Sequence, residues 1–285
     1  MCRRKPAQRN HRAMIVTRFA PSPTGYLHRG HAFAAITAYE SGDDFLVRIE
    51  DIDQGRSRES FVEAIAFDLK WLGLSWDEPM LRQSRRMGAY KAALGRLEKQ
   101  GLVYPCFCTR KEITEEIARA KQAPQGPDGP LYPRTCRALT EGERTARIAA
   151  GESFALRLDA HKAARMAGPL TFTDHGQDHA VDPHRFGDLV VARKEMPTSY
   201  HLAVVVDDAF QNVTLVTRGE DLLASTHIQR VLQALLDLPR PAYAHHRLIL
   251  DRQGRKFSKR DDAVTLRALR EAGETPSDIR AQIGV

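Results

Sequence analysis

The strongest constraint on the fold is an alternation near the start of the chain. An apolar run, Met14-Ile15-Val16, opens a strand over 14–20; a turn-rich loop leads to a helix over 30–41, a strand over 45–50 and an amphipathic helix over 58–72. Strand, helix, strand, helix in that order is the pattern of a parallel sheet covered on its faces. The loop before the first helix, RFAPSPTGYLHRGH at 18–31, is chemically specific. Pro21, Pro23 and Gly25 fix a turn with little side-chain bulk, and the helix start beyond His28 and Gly30 presents N–H groups and a positive dipole end. Such a site suits phosphate. His28 and His31 flank Gly30, so two imidazoles can reach one polyphosphate while the glycine lets a nucleotide approach the backbone. Histidines three apart on a helix are ordinarily just neighbours, and a loop rich in Lys and Arg is ordinarily just solvated. The two features gain weight together, because KFSKR stands at 256–260.

The remaining layout is coarser. A helix near 84–100 is closed by Gly101, and short strands are expected around 153–158 and 188–193. YHLAVVVDD at 200–208 reads as a near-continuous buried strand and NVTLVTRG at 212–219 as another. The segment 221–237 reads as a helix with Leu222, Ile228, Val231 and Leu235 largely on one face. The sheet is therefore expected to be split by an insertion at roughly 101–190, leaving its two halves at 14–100 and 191–285. Residues 1–13 are polar and basic, and read as a disordered arm or the product of an upstream start codon.

Four cysteines in a chain without a secretory leader point to metal or reduced thiols. Cys2 lies in the arm. Cys106, Cys108 and Cys136 form Cys-x-Cys followed, after a Pro/Gly-rich stretch, by one more thiol. Three thiolates suit zinc but leave a tetrahedral ion one ligand short. A second polar cluster, Asp174, His175, Asp178, His179, Asp182 and His184, has metal-like spacing, yet Gly176 and Pro183 mark it as an exposed loop.

RFAPSPTGYLHRGH resembles the HIGH region of class I aminoacyl-tRNA synthetases in the wording of the glutamyl and glutaminyl branch, and KFSKR resembles the KMSKS loop. RIEDID at 48–53, YHLAVVVDD and VTRGEDLLASTHIQ at 216–229 match in the same order, so the likeness covers nearly the whole chain after Met14. It implies an α/β fold: a Rossmann-like doubly wound parallel sheet with an inserted, zinc-containing, acceptor-binding-like domain. It also implies ligase chemistry. The α-carboxylate of glutamate attacks the α-phosphate of ATP, pyrophosphate leaves, and the adenylate acylates a hydroxyl. The implied catalytic residues are His28, His31 and Lys259; ATP would meet His28, Gly30, His31, Lys256 and Lys259, with Gly254 giving the loop freedom to close. Glutamate would meet Arg18, Ala20, Ser22, Glu50, Tyr200 and Arg218, the arginines facing carboxylate and Glu50 the ammonium. Which arginine takes the side-chain carboxylate is open. Tyr132, four residues before Cys136, matches the position from which the family supplies a tyrosine oxygen, giving one structural zinc per chain on Cys106, Cys108, Tyr132 and Cys136. Mg²⁺ is expected with ATP.

Two departures from the ordinary glutamyl enzymes shape the expected activity. Many of those enzymes have asparagine where this chain has Val204, which implies an altered polar lining and weaker affinity for glutamate. They also continue into anticodon-reading domains, whereas this sequence ends at Val285. The combination resembles the short branch that activates glutamate without tRNA and transfers it to queuosine in the anticodon of tRNA(Asp). The anticodon stem-loop would be held by a surface whose 43 Lys and Arg outnumber 36 Asp and Glu, a net charge of +7. A minimal enzyme charging the 3′ end of tRNA(Glu) would share every activation residue. A non-catalytic RNA-binding paralogue should have lost parts of the ATP site, yet His28, His31 and Lys259 are present. A cytoplasmic monomer with no membrane partner is expected, since no apolar run reaches the roughly 18 residues of a membrane span.

Overall fold

A computed structural model describes residues 13–119, 124–193, 196–249 and 264–285. Nearly all of the expected arm and the KFSKR motif, with Lys256, Lys259 and Gly254, lie outside the described residues. The chain begins β1 (Val16–Phe19), α1 (Arg29–Ser41), β2 (Asp44–Ile49), α2 (Glu59–Trp71), β3 (Leu81–Arg82) and α3 (Met87–Lys99). Next come β4 (Val103–Cys106), α4 (Arg110–Arg119), β5 (Gln125–Gly126), β6 (Gly129–Pro130), α5 (Glu141–Ala149), β7 (Ala155–Leu158), α6 (Ala160–Ala167), β8 (Thr171–Asp174), β9 (Gln177–Ala180) and β10 (Val190–Arg193). The last part holds α7 (Tyr200–Phe210), β11 (Leu215–Gly219), α8 (Leu223–Leu235), β12 (Ala242–His246), α9 (Leu266–Glu271) and α10 (Pro276–Ile283).

Strands β1, β2 and β3 pair in parallel, as do β11, β12 and β8, with β9 antiparallel at the edge. The two sheets meet between β1 and β11. The amide of Thr214 donates to the Val16 carbonyl at 3.0 Å, and the Val16 amide donates to the Thr214 hydroxyl at 2.9 Å. Strand order thus runs outward in both directions from this seam, the place where parallel sheets open a crevice at their carboxyl ends. The hairpin β8–β9 lies within the stretch assigned to the insertion, but its first strand pairs with β12 at Tyr243↔Asp174. A separate antiparallel sheet, in the order β10-β7-β4, carries the cysteines on its β4 side.

The helices follow from their apolar spacing. Val62, Ile65 and Leu69 of α2 recur at helical intervals and are buried, each worth about 1.5–3 kcal/mol relative to exposure. They share a core with α1, β2 and, from the end of the chain, Leu266, Leu269, Ile279 and Ile283. A second core joins Leu94 and Leu97 of α3 to Val191, Val205, Ile228, Val231 and Leu232.

YHLAVVVDD corrects a sequence expectation: it is the helix α7, not a strand. Ser199 caps it by accepting the Leu202 amide, and Leu202, Ala203, Val204, Val205, Asp207 and Asp208 are all buried. A helix buried around most of its circumference shows no amphipathic stripe, so its three valines mimic a strand. Gly42 does end α1, though not through a left-handed turn. Its backbone is extended, and an added Cβ would lie 2.7 Å from Thr17 Oγ1, so the glycine permits close packing on β1.

Candidate active site

Three contiguous cavities open at the carboxyl ends of β1 and β11. A cleft of about 460 Å³ is lined by Ala20, Ser22, Thr24, His28, Gly30 and His31 on one side and by Gly219, Asp221 and His246 to Ile249 on the other. A deeper pocket of about 310 Å³ shares Ala20, Ser22 and Leu222 with it and adds Arg18, Glu50, Tyr200, Thr217 and Arg218. All six residues expected to meet the amino acid line this one pocket. A third cavity of about 450 Å³ shares Glu50 and Tyr200 with the pocket and runs past Asp53, Arg56, Arg193 and Thr198. Both described ends of the segment containing KFSKR reach the cleft: Ile249 lines it, and Thr265 bridges to His28.

The cleft's histidines are built into the start of α1. His28 is the N-cap residue, and its Nδ1 accepts the Gly30 amide at 3.1 Å; His31 Nδ1 accepts the His28 amide at 3.2 Å. Backbone amides only donate, so this pattern assigns the proton of each neutral ring to Nε2. The rings lie 3.8 Å apart, and Gly30 keeps them there, because a Cβ would stand 3.1 Å from His28 Cε1. Gly219 has a similar role across the cleft, where a Cβ would meet Asp221 Oδ1 at 2.5 Å.

The pocket is governed by buried charge. Asp208 Oδ1 accepts from Arg18 Nε at 3.1 Å and from Arg48 Nη2 at 2.5 Å, while Arg48 Nε lies 3.9 Å from Glu50. Arg48 is fully buried. Burial pushes the Glu50 carboxyl up to about 7 against the pull of Arg48 and Arg18. Asp208 resists the same burial and is held below the usual carboxylate range by Arg18 and Arg48. The adjacent carboxylate faces another way: Asp207 accepts from Gln83, Arg86 and Tyr90 and ties α7 to α3. Arg218 differs from Arg18. It donates to neutral groups, to Gln229 at 2.8 Å, Thr226 at 2.7 Å and His245 at 3.1 Å, and among the described residues no carboxylate pairs with it. Val204 does not line this pocket. It is buried in the second core with Ile228 and Val231.

Sequence reasoning did not single out Arg48, Asp208, Thr217 or His245. RIEDID and YHLAVVVDD contained the first two, but their pairing spans 160 residues and becomes visible only in the fold.

Away from the crevice, Cys106, Cys108 and Cys136 bring their sulfurs within 4.8 Å of one another and could hold a metal ion. Tyr132 lies beside them, its hydroxyl 3.3 Å from Cys106 Sγ and 3.5 Å from Cys108 Sγ. The Phe107 amide donates to Cys136 Sγ at 3.3 Å, a contact that supports a thiolate, and the soft donor set fits zinc. The Asp174 to His184 cluster does not assemble into a ligand group among the described residues. Among those residues, too, no helix is long and apolar enough to cross a membrane.

Comparison with known proteins places this geometry. The family described as tRNA synthetases class I (E and Q), catalytic domain, matches residues 14–284. The chain is 49% identical to the glutamyl-Q tRNA(Asp) synthetase of Rhodobacter capsulatus over 95% of its own length and 100% of that protein. It is 44% identical to the enzyme of the same name from Nocardia farcinica, over 93% of this chain and 82% of that one. Its fold is similar to a glutamate tRNA ligase from Elizabethkingia meningosepticum solved in complex with its amino acid, with a TM-score of 0.70 and 27% identity. That match covers 87% of this chain and 52% of the ligase, so the chain spans about half the ligase's length.

Proposed function

The chain belongs to the class I tRNA synthetases of the glutamyl and glutaminyl kind, and from that premise we propose that it activates L-glutamate with ATP and transfers it to queuosine in tRNA(Asp). The observation that carries this reading is the 49% identity to a glutamyl-Q tRNA(Asp) synthetase across that protein's whole length. The pocket supports it chemically. A glutamate has two carboxylates and an ammonium, and the pocket offers two arginines and one acid.

In this reading Arg218 takes the side-chain carboxylate, because Arg18 already has Asp208 as its counter-charge. Glu50 takes the ammonium, whose charge would draw its proton off. Ala20 and Ser22 sit where pocket and cleft join, so the α-carboxylate would point toward the α-phosphate of ATP. His28 and His31 donate from Nε2 to the phosphates, with Lys256 and Lys259 contributing from the loop and Mg²⁺ accompanying the nucleotide. A carboxylate oxygen bonds to the α-phosphorus and the bond to pyrophosphate breaks; a hydroxyl of the modified nucleoside then attacks the carbonyl and AMP leaves. The protein supplies position and counter-charge, not a covalent nucleophile. The nucleoside enters by the third cavity, which meets the pocket at Ser22, Glu50 and Tyr200 and borders the cleft at Ser22 and Thr24. The test is labelled glutamate with ATP, Mg²⁺ and tRNA(Asp) carrying or lacking queuosine. Label is expected only on the queuosine-bearing tRNA, and label on the 3′ end of tRNA(Glu) instead would replace this reading with the minimal charging enzyme.

Zinc on Cys106, Cys108, Cys136 and Tyr132 holds the β4 region together in the same reading, with no step of the reaction passing through it. One equivalent per chain is expected by elemental analysis. Cys106→Ser should lose it and lower Tm by about 5 °C or more. Metal-free protein of unchanged Tm would remove zinc from the account.

A further inference from the structure

We propose that Asp174 and His245 form a positioning pair that presents Arg218 to the substrate's side-chain carboxylate, and that this pair sets the preference for glutamate over glutamine. The inference rests on the glutamate reading above and extends it to residues outside the pocket wall.

The three residues come from three neighbouring strands. Arg218 of β11 stands in register with His245 of β12, and Asp174 ends β8, beside β12. All three are buried, at 6%, 7% and 7% exposure. Arg218 Nε lies 3.1 Å from His245 Nε2. A guanidinium has five donors and no acceptor, so this contact requires a lone pair on Nε2 and hence a neutral imidazole with its proton on Nδ1. Nδ1 lies 3.1 Å from Asp174 Oδ1, at an angle short of a hydrogen bond but close enough for the carboxylate to favour the proton there. The same oxygen accepts the His245 amide at 3.1 Å, which fixes Asp174 to the strand it serves. Tyr243 stacks parallel to the imidazole at 5.8 Å, and His175 bonds to the His245 carbonyl at 2.8 Å.

Charge explains why the relay is useful. Burial, with Arg218 alongside, holds the imidazole neutral, pushing it down to about 4, so the lone pair is present at any ordinary pH. A carboxylate placed directly against Arg218 would hold it as firmly but neutralise it. Asp174 instead acts through a neutral ring, so Arg218 is oriented by His245, Thr226 and Gln229 and keeps its charge for an incoming anion. Those three contacts take three of its five N–H groups. The two that remain can pair with a carboxylate fork, but a glutamine side chain presents an amide NH₂ that no guanidinium can accept.

The test is amino-acid-dependent ATP–pyrophosphate exchange by the full chain and its variants. His245→Asn keeps an amide near Nδ1 and loses the acceptor at Nε2; the KM for glutamate should rise about ten- to a hundredfold, with the KM for ATP unchanged and discrimination against glutamine reduced in proportion. His245→Gln places an amide oxygen near Nε2 and should restore most of the loss. A structural role alone would move both KM values, and would not be rescued by glutamine more than by asparagine. The proposal is overturned if His245→Asn leaves the KM for glutamate within about twofold, or raises both KM values alike. Wild-type protein whose exchange does not depend on glutamate would sink the underlying reading instead, so the two failures are distinguishable.

Discussion

Arg218→Ala is expected to lower kcat/KM for glutamate in pyrophosphate exchange by about two to three orders of magnitude, since truncating one member of a buried charge pair costs about 2–5 kcal/mol. The pocket would then be left with Arg18, whose charge Asp208 already offsets at 3.1 Å. Arg218→Lys should do little better. A lysine has three tetrahedral donors on a flexible stem and cannot serve Gln229, Thr226, His245 and a planar carboxylate together. The KM for ATP should hold in both variants, because Arg218 lines the deeper pocket and not the cleft beside His28. A loss smaller than about tenfold in the alanine variant would place the side-chain carboxylate elsewhere.

Asp208→Ala is expected to cost about 3–5 kcal/mol of stability, the range for stripping a buried ion of its partner. Asp208 is the counter-charge for two arginines, one of them fully buried. With Glu50 ionised, two cations and two anions balance; without Asp208 a surplus positive charge is sealed under the pocket. Urea unfolding should show a lower midpoint at an unchanged slope. A paired change, Arg48→Met with Asp208→Asn, should recover a substantial part of the loss, because it removes both charges at nearly unchanged volume. A loss below about 1 kcal/mol in Asp208→Ala would mean that water reaches the network and shields it.

These predictions depend on contacts that the sequence held only in part. The βαβα opening and the loop containing His28 and His31 were legible because local rules decide them: apolar spacing, prolines in a turn and a glycine where backbone must approach. The six residues expected to meet the amino acid came from resemblance, and the fold brings them into one pocket. Their supports were not. Arg48 looks like a surface residue in RIEDID, because a strand shows which residues share a face but not which distant carboxylate covers that face. His245 is one of two adjacent histidines in AYAHH, and only the register of β11 on β12 distinguishes it from His246. The helix α7 was misread for a related reason. Burial on nearly every side erased the periodicity that would have marked it, and the β-branched side chains of Val204 and Val205 then favoured a strand.

The histidine cap of α1 bears on how quickly the cleft can respond. In a typical site an imidazole must choose its tautomer and turn its ring when an anion arrives, and that rearrangement adds to the barrier. Here the backbone has made the choice beforehand, since Gly30 and His28 amides occupy both Nδ1 atoms. Folding the first turn of α1 and arming the cleft are therefore one event. In the proposed reading a nucleotide would meet dipoles already aimed, the reorganisation that a looser pair of histidines would need having been completed during folding.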